Sequence, residues 1–420
     1  MANSAALAID FGTSNSAAGF VQHTEARLIG IETDAQTMPT ALFFDAEERR
    51  VVYGRAAQEA LIGGDDGRYM RALKSLLGTS LMRESRLLLG QRLDFIAIIG
   101  RFLAEVKSRA EAVSGLRFER ALSGRPVLFH SADPTRNSQA LVDLQECYHA
   151  AGFNDVRFMA EPEAAARANR DALAPGDLGL IVDIGGGTSD FTLFRQEGAA
   201  DIEILASHGL RLGGTDFDRE LSLSQVMPHL GMGSEVRHMF GSHTHTAPNG
   251  IFSDLATWQK IPFLYTRESR RLAQDLARHA VEPEKLGLLL RALEEELGHD
   301  IAFAVEDAKI AANDRQASAP PEIRLDMLER GLRLPLPAAL MGATLAEMAA
   351  RIAAAARATV EQAGREPEEV SKLIFVGGSS LMSVVDMAMH RAFPQAEAHR
   401  GAALTAIADG LTLASVSAFD

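Results

Sequence analysis

The chain has 420 residues, 47% hydrophobic and 23% charged, with a formal net charge of −14 at pH 7 and an isoelectric point near 5.4. That is globular composition with room for roughly two to four domain-sized units, and the acidic balance argues against extensive binding to nucleic acid or anionic membranes. The start, MANSAALAID, lacks the basic segment and apolar core of a secretory signal, and no apolar run reaches the ~20 residues of a membrane span.

Leu7–Phe20, LAIDFGTSNSAAGF, reads as an apolar strand carrying Asp10, a turn through Gly12, Thr13, Ser14, Asn15 and Ser16, and a second apolar run. Ala26–Thr33 and Ala41–Asp45 read as short strands, and Arg55–Ile62 as the start of a helical region. A basic segment, Arg71–Gly78, contains Lys74 and stops at a glycine. Leu93–Val113 has helical periodicity, with Ile96, Ile99, Phe102, Leu103 and Val106 on one face. Arg125–Phe129 reads as a buried strand. Asp133-Pro134 offers an N-cap followed by proline at the first helical position, opening a helix to Gly152. That helix holds the single cysteine, Cys147, which excludes an internal disulfide framework, fits a reducing cytoplasm and is expected to be structural. Val156–Met159 is the next strand, and Pro162 suits another helix start. Glu161 then stands where strand passes into helix, at a sheet edge where ligand sites of α/β proteins gather. A plain helix-terminal acid favoured by the macrodipole would read the same way.

The chain is organised around Leu180–Phe194, LIVDIGGGTSDFTLF. A buried strand is followed by Gly185, Gly186 and Gly187, then Thr188, Ser189 and Asp190, and a second apolar run. A hairpin tip without Cβ atoms lets consecutive backbone N–H groups approach an anion. Asp183 would face the same space, and a carboxylate beside a phosphate-sized nest implies a cation such as Mg²⁺ between them. Alone, the stretch is equally a glycine hairpin with no ligand. It is not alone: placing Asp10 on Asp183 brings Gly12 onto Gly185, so one strand–Asp–x–Gly–turn–strand unit occurs twice and suggests two similar halves facing one ligand. A third glycine pair, Gly377-Gly378 before Ser379, follows the apolar run Leu373–Val376.

Past the central hairpin, Ile202–Ser207 reads as a strand, and Gly213-Gly214 lies in a glycine turn leading to a helix. Residues 227–262 hold Pro228, Pro248 and Pro262 with His238, His243 and His245; no acid or cysteine stands at ligand spacing, so an exposed, partly mobile loop is expected rather than a metal site. Helices dominate Arg267–Asn313, where Glu306 and Lys309 share a face and could form a simple surface ion pair. A strand at Glu322–Asp326, an alanine-rich helix at Thr344–Ala363 ending at Gly364, and a closing helix at Thr405–Leu413 complete the chain.

These motifs together resemble the actin-like ATPase superfamily and, more closely, the nucleotide-binding half of the heat-shock-70 chaperones. Ile9–Ser16 resembles the family's first phosphate motif, Val182–Phe191 its second and Phe375–Ser380 its adenosine motif. Lys74–Gly78 resembles the segment with its catalytic lysine, and Arg157–Pro162 the segment with its water-positioning glutamate. Leu212–Asp218 also matches, and the motifs run in family order from about Ala8 to Leu413.

The resemblance implies an α/β, two-lobed actin-like ATPase fold of duplicated ribonuclease H-like domains. Lobe I would span 1–175 with an insertion at about 38–115, and lobe II 176–420 with an insertion at about 221–312. It implies ATP or ADP with Mg²⁺, the metal on Asp10 and Asp183. The phosphates would lie on Gly12, Thr13, Ser14, Asn15, Gly185, Gly186, Gly187 and Thr188, and the nucleoside near Gly213, Gly214, Gly377, Gly378, Ser379, Glu306, Lys309 and Asn313. Lys74 would neutralise charge on the transferred phosphoryl group, Glu161 would orient the attacking water, and Thr188 and Asp183 would assist. Three departures stand out: Ile310 replaces the basic residue expected against adenine, Ala402–Thr405 replaces an Asn-Pro-Asp-Glu segment, and nothing follows Asp420 to supply a linker, β-sandwich peptide site or lid. Short YegD-like relatives have this form. The expectation is a weak, Mg-dependent cytoplasmic ATPase acting as a chaperone or nucleotide switch for a protein partner or client, without nucleic acid or membrane. A small-molecule kinase and an actin-like filament protein are the alternatives on the same fold.

Overall fold

Two nearly continuous apolar runs become the central strands of two sheets with the same ladder. In the first sheet, β1 (Ala6–Phe11) pairs antiparallel with β2 (Asn15–Gln22), which pairs antiparallel with β3 (Glu25–Ile29). On its other side β1 pairs parallel with β4 (Arg120–Arg125), which pairs parallel with β5 (Asp155–Ala160). The second sheet repeats this order: β6 (Leu178–Ile184), β7 (Ser189–Gln196) and β8 (Ile202–Leu210) are antiparallel. On the other side of β6 lie β9 (Val370–Val376) and β10 (Glu397–His399), both parallel. The repeated sequence unit is thus a repeated sheet, and the expected duplicated α/β fold is present. The structure is a computed structural model and describes residues 5–22, 25–130, 132–197, 202–237, 243–314 and 319–419.

The chain divides into two compact units, Met1–Gly214 with Ala350–Asp420, and Thr215–Ala349. Both sheets belong to the first, so the expected lobe junction near residue 175 falls inside one unit. The second unit contains helices Arg267–His279, Pro283–Glu294 and Gly298–Asn313 and the hairpin Glu322–Arg324 with Arg333–Pro335.

In the first unit, helix α1 (Phe95–Ser114) starts where Asp94 accepts the Ala97 N–H at 2.8 Å and stops at Gly115 with φ of 70°. Phe102 on its apolar face meets Phe11 of β1, ring centroids 5.9 Å apart. Helix α2 (Pro134–Ala150) starts as expected from Asp133, whose carboxylate accepts the Arg136 N–H at 3.0 Å. Cys147 on it is buried, and desolvation raises its thiol far above the ordinary range, so it is an inert packing residue. Helices α3 (Glu161–Ala168) and α4 (Ala406–Ala414) form the core with both sheets: Ala164, Ala165, Ala166 and Leu411 pack with Ala8 and Leu122 of the first sheet and Ile181, Phe194 and Ile374 of the second. Small side chains permit that approach. A Cβ on Gly410 would lie 1.8 Å from the Ala164 carbonyl oxygen.

Three expectations are corrected. The strand expected at Arg125–Phe129 lies earlier, at Arg120–Arg125, because Pro126 has no N–H for the ladder and Val127 gives its N–H to the Asp190 carboxylate. Of residues 227–262, residues 238–242, His238 among them, lie outside the described residues; the described remainder is more ordered than a mobile loop. Glu235–Arg237 pairs with Thr244–Thr246, helix Asn249–Leu255 follows, and Phe252, Leu255, Trp258 and Ile261 are buried. Finally, helix Ala338–Gln362 is long and apolar enough to cross a membrane by length and composition. Leu345, Ala349, Ile352, Ala356 and Val360 are buried along one stripe of it, the pattern of a helix with one face in a core.

Gly410→Ala should therefore destabilise the protein by about 3 kcal/mol, the upper end for overpacking against backbone. Gly342→Ala, in an open helical position with no atom within 4 Å of the new Cβ, should stabilise by about 0.5–1 kcal/mol. Denaturant midpoints of the two variants check both signs.

Candidate active site

The equivalent strands β1 and β6 end in hairpins of matching register. Phe11 pairs with Ser16 and Ile184 with Ser189, so the turns are Gly12–Asn15 and Gly185–Thr188. The tips meet: a Cβ on Gly186 would lie 2.5 Å from Ser14 Oγ and 3.0 Å from Thr13 Cβ, so a side chain there would have to push Ser14 and Thr13 aside. Gly377, at the end of β9 with φ of 79°, brings a third backbone segment alongside, where a Cβ would sit 2.4 Å from the Ile184 carbonyl oxygen.

These segments enclose a solvent-open cleft of about 600 Å³. Its walls include Asp10, Gly12, Thr13, Ser14 and Asn15 from the first hairpin, and Asp183, Gly185, Gly186 and Thr188 from the second. Lys74, Glu161, Gly377 and Gly378 also line it, and Ala403, Leu404 and Ile407 add an apolar wall that sequence reasoning did not assign. Gly213, Gly214 and Ser379 lie behind the second hairpin: the Gly214 N–H donates to the Gly185 carbonyl at 2.9 Å, and a Cβ on Gly214 would lie 2.3 Å from Ser379 Oγ. Gly187 lines a neighbouring cleft. Glu306, Lys309 and Asn313 belong to the second unit, where the Lys309 ammonium pairs with Asp218, Nζ to Oδ1 2.5 Å, in a buried position. Asp218 also accepts from Trp258 Nε1 at 3.2 Å. Lys309 thus has a buried partner in Asp218, which the sequence reading had not named. Ile310 is exposed.

Lys74 sits in a tight turn, Leu73–Leu76, entered through Ala72 at a left-handed φ of 58°. The segment is anchored at its end, where the Gly78 N–H donates to Asp143 Oδ2 of α2 at 2.9 Å. This places Lys74 Nζ 2.6 Å from Glu161 Oε1, with both side chains under 10% exposed. Glu161 is the first residue of α3, fixed by the passage from β5 into the helix and by Pro162.

Carboxylates outnumber cations here. Burial, then Glu161, raises Asp10 to about 7, with Lys74 opposing. Burial, followed by Glu161, Asp190 and Asp10, raises Asp183 well above the carboxylate range. Burial pulls the Lys74 ammonium down, but Glu161 and Asp10 outweigh it and leave the group above the ordinary lysine value. Asp190, to which sequence reasoning gave no role, adds a further buried acid without lining the cleft. It faces Asp183 across the ladder, is 1% exposed, and is raised to about 7 by burial first and Glu161 second. Its Oδ1 accepts the Val127 N–H at 2.7 Å, and its Oδ2 has no hydrogen-bond partner among the described residues. Counting the hairpin register from Asp183 would have found it.

The residues present fit a hydrated Mg²⁺. Two hard carboxylates, Asp10 and Asp183, line the cleft from the two hairpins, and burial raises both. Among the described residues no group of three or more metal-capable side chains forms a cage. A few protein oxygens with retained waters is what Mg²⁺ prefers.

A duplicated α/β sheet whose paired Asp–Gly hairpins wall one acidic cleft defines the actin-like ATPase class of fold. The Hsp70 protein family matches residues 85–227, which include Glu161 and the second hairpin. "Chaperone protein DnaK" of Elusimicrobium minutum (strain Pei191) is 29% identical over 221 residues, 51% of this chain and 34% of that relative. The proteins of the same name from Metamycoplasma hominis and Endomicrobium trichonymphae are 29% and 27% identical over 227 and 223 residues, 53% and 51% of this chain and 35% and 34% of their own lengths. The chain spans about a third of the length of the curated relatives it matches. Over these residues the chain is similar to the Hsp70 family, and the similarity supports the actin-like ATPase nucleotide-binding region of that family.

Asp190 gives a pH prediction. Its folded pKa near 7 exceeds the ordinary carboxylate value, so between the two the folded state keeps a proton that the unfolded chain has lost. Its contribution to stability is complete below the ordinary value and is lost as pH rises through the folded one. With EDTA and no nucleotide, the melting temperature should fall from about pH 5.5 to 7.5, and Asp190→Asn should flatten that slope. Equal slopes for the two proteins would refute the assignment.

Proposed function

We propose that this chain binds Mg·ATP or Mg·ADP in the acidic cleft, hydrolyses ATP slowly, and acts as a chaperone-type nucleotide switch read by a protein partner or client in the cytoplasm. The observation that carries this reading is the convergence of Asp10 and Asp183, one from each repeated hairpin, beside the buried Lys74–Glu161 pair. The matched relatives, named as chaperones, support it.

Backbone N–H groups of the two glycine turns would cradle phosphate oxygens. Asp10 and Asp183 would hold hydrated Mg²⁺, which supplies neutralising charge on the phosphates. Lys74 would stabilise charge on the transferred phosphoryl group, and Glu161 would accept a hydrogen bond from the attacking water and orient it. Water rather than a substrate hydroxyl is the acceptor on this reading, because the Lys74 and Glu161 segments resemble those of the heat-shock-70 chaperones. The base and ribose would lie near Gly213, Gly214, Gly377, Gly378 and Ser379.

At a hundredfold excess over its dissociation constant, Mg·ATP should add about 2.7 kcal/mol of stability, seen as a rise in melting temperature; no rise at millimolar Mg·ATP would overturn the reading. Lys74→Ala should lower single-turnover hydrolysis by about two orders of magnitude or more. It should also cost about 3 kcal/mol of stability, because Glu161 is left buried and unpaired. Adding Glu161→Gln should recover most of that stability and none of the hydrolysis, a separation that urea melts and rapid-quench assays would read.

A further inference from the structure

The cleft wall built by Gly377, Gly378, Ala403, Leu404 and Ile407 differs in kind from the wall that carries Asp10, Glu161 and Asp183. None of its residues has a side-chain donor or acceptor. The polar side chains next to them in sequence are engaged elsewhere. Ser380 is buried, and its Oγ donates to the Gly377 carbonyl at 2.7 Å. Ser379 Oγ stands beside Gly214, behind the second hairpin. Thr405 Oγ1 donates to Asp409 Oδ2 at 3.1 Å. Arg400 pairs with Asp386 and lies over the Phe375 ring, 5.1 Å from its centroid. Backbone groups here are occupied too: the Gly377 N–H donates to the Ala403 carbonyl at 2.8 Å, and the Thr405 and Ala406 N–H groups donate to the Ala402 carbonyl at 3.0 and 2.9 Å.

Ile407 is buried on this wall, whereas Leu404 is 56% exposed and still has apolar surface to cover. A Cβ on Gly378 would meet Leu404 Cδ2 at 3.6 Å, an ordinary van der Waals distance. The leucine side chain and the bare backbone of Gly378 thus lie side by side as one shelf. A flat ring laid on that shelf removes apolar area from water. Contact of this kind senses the face of a ring and nothing of the donors and acceptors on its edge.

We propose that Leu404 determines the base specificity of this site: it holds a purine by apolar contact and does not distinguish adenine from guanine or hypoxanthine. The inference rests on the nucleotide reading above and deepens it, naming the substrate class as purine nucleotides at large. A site that hydrogen-bonds a ring edge rejects the wrong pattern strongly, because its own polar groups are then left unpaired. An apolar surface carries no such penalty and discriminates weakly between ligands of the same shape. Hypoxanthine is the sharpest probe of the difference. It keeps the purine shape of adenine but puts a carbonyl acceptor where adenine has an amino donor.

The test is titration calorimetry of the full chain with the Mg²⁺ complexes of ADP, GDP, IDP and pyrophosphate. The three nucleotides should bind the parent with dissociation constants within about tenfold of one another. Leu404→Ala should weaken all three by a common factor of about fivefold, the loss of part of a leucine's apolar contact. Pyrophosphate, which has no base to lay on the shelf, should bind parent and variant alike. A preference for ADP over IDP beyond about tenfold in the parent would overturn the proposal, and that comparison needs no variant. So would nucleotide affinities that Leu404→Ala leaves unchanged, with melting curves showing the variant folded. Pyrophosphate binding with no gain from any nucleoside would remove the shelf and leave the phosphate site standing. If none of the four ligands binds, the nucleotide reading itself falls, and the shelf with it.

Discussion

The structure depends on a charge imbalance held out of water. Asp10, Asp183, Asp190 and Glu161 surround one ammonium, Lys74, which lies 2.6 Å from Glu161. Desolvation is the largest influence on each of the three aspartates and pushes each toward its neutral form. A globular fold does not gather acids in this way to gain stability. The arrangement makes sense for a ligand that arrives with its own cation.

The repeated sheet is what makes the gathering possible. A strand that ends in an aspartate and turns through glycines delivers one carboxylate at one height; two such strands, each held by parallel partners on its far side, deliver a facing pair. The repeat is not symmetric in its chemistry. Asp10 lies opposite Ala17 in the first hairpin, while Asp183 lies opposite Asp190 in the second. The second half therefore carries the additional buried acid, and the Lys74–Glu161 pair comes from connections of the first. Alanines on α3 and Gly410 on α4 let these helices pack among strands of both sheets without large side chains holding the backbones apart.

The cleft is acidic on one wall and apolar on another, with Leu404 beside Gly378 on the second. The position of Lys74 is set from the rear by the Gly78–Asp143 bond and by the Arg211 and His130 contacts with the carbonyls of Ser75 and Leu77. A single short turn thus links the acidic cleft and helix α2.

Much of this was legible in the sequence because it is local. Asp10–x–Gly12 and Asp183–x–Gly185 announce their turns by residue type, the period of Ile96, Ile99, Phe102 and Val106 announces α1, and Asp133-Pro134 announces a helix start. What the chain order alone did not decide is long-range pairing. Lys74 meets Glu161 across 87 residues, and Lys309 meets Asp218 across 91. Asp190, although inside the recognised motif, joined the buried acids only through its rung opposite Asp183. The misplaced strand at Arg125–Phe129 has the same cause, since whether an apolar run joins a ladder depends on which N–H groups a neighbour can accept, and Val127 found Asp190 instead. Local backbone preference is written in adjacent residues; the pairing of buried charges is set by which elements the tertiary fold brings within a few ångströms, where a missing partner is too costly to leave unmet.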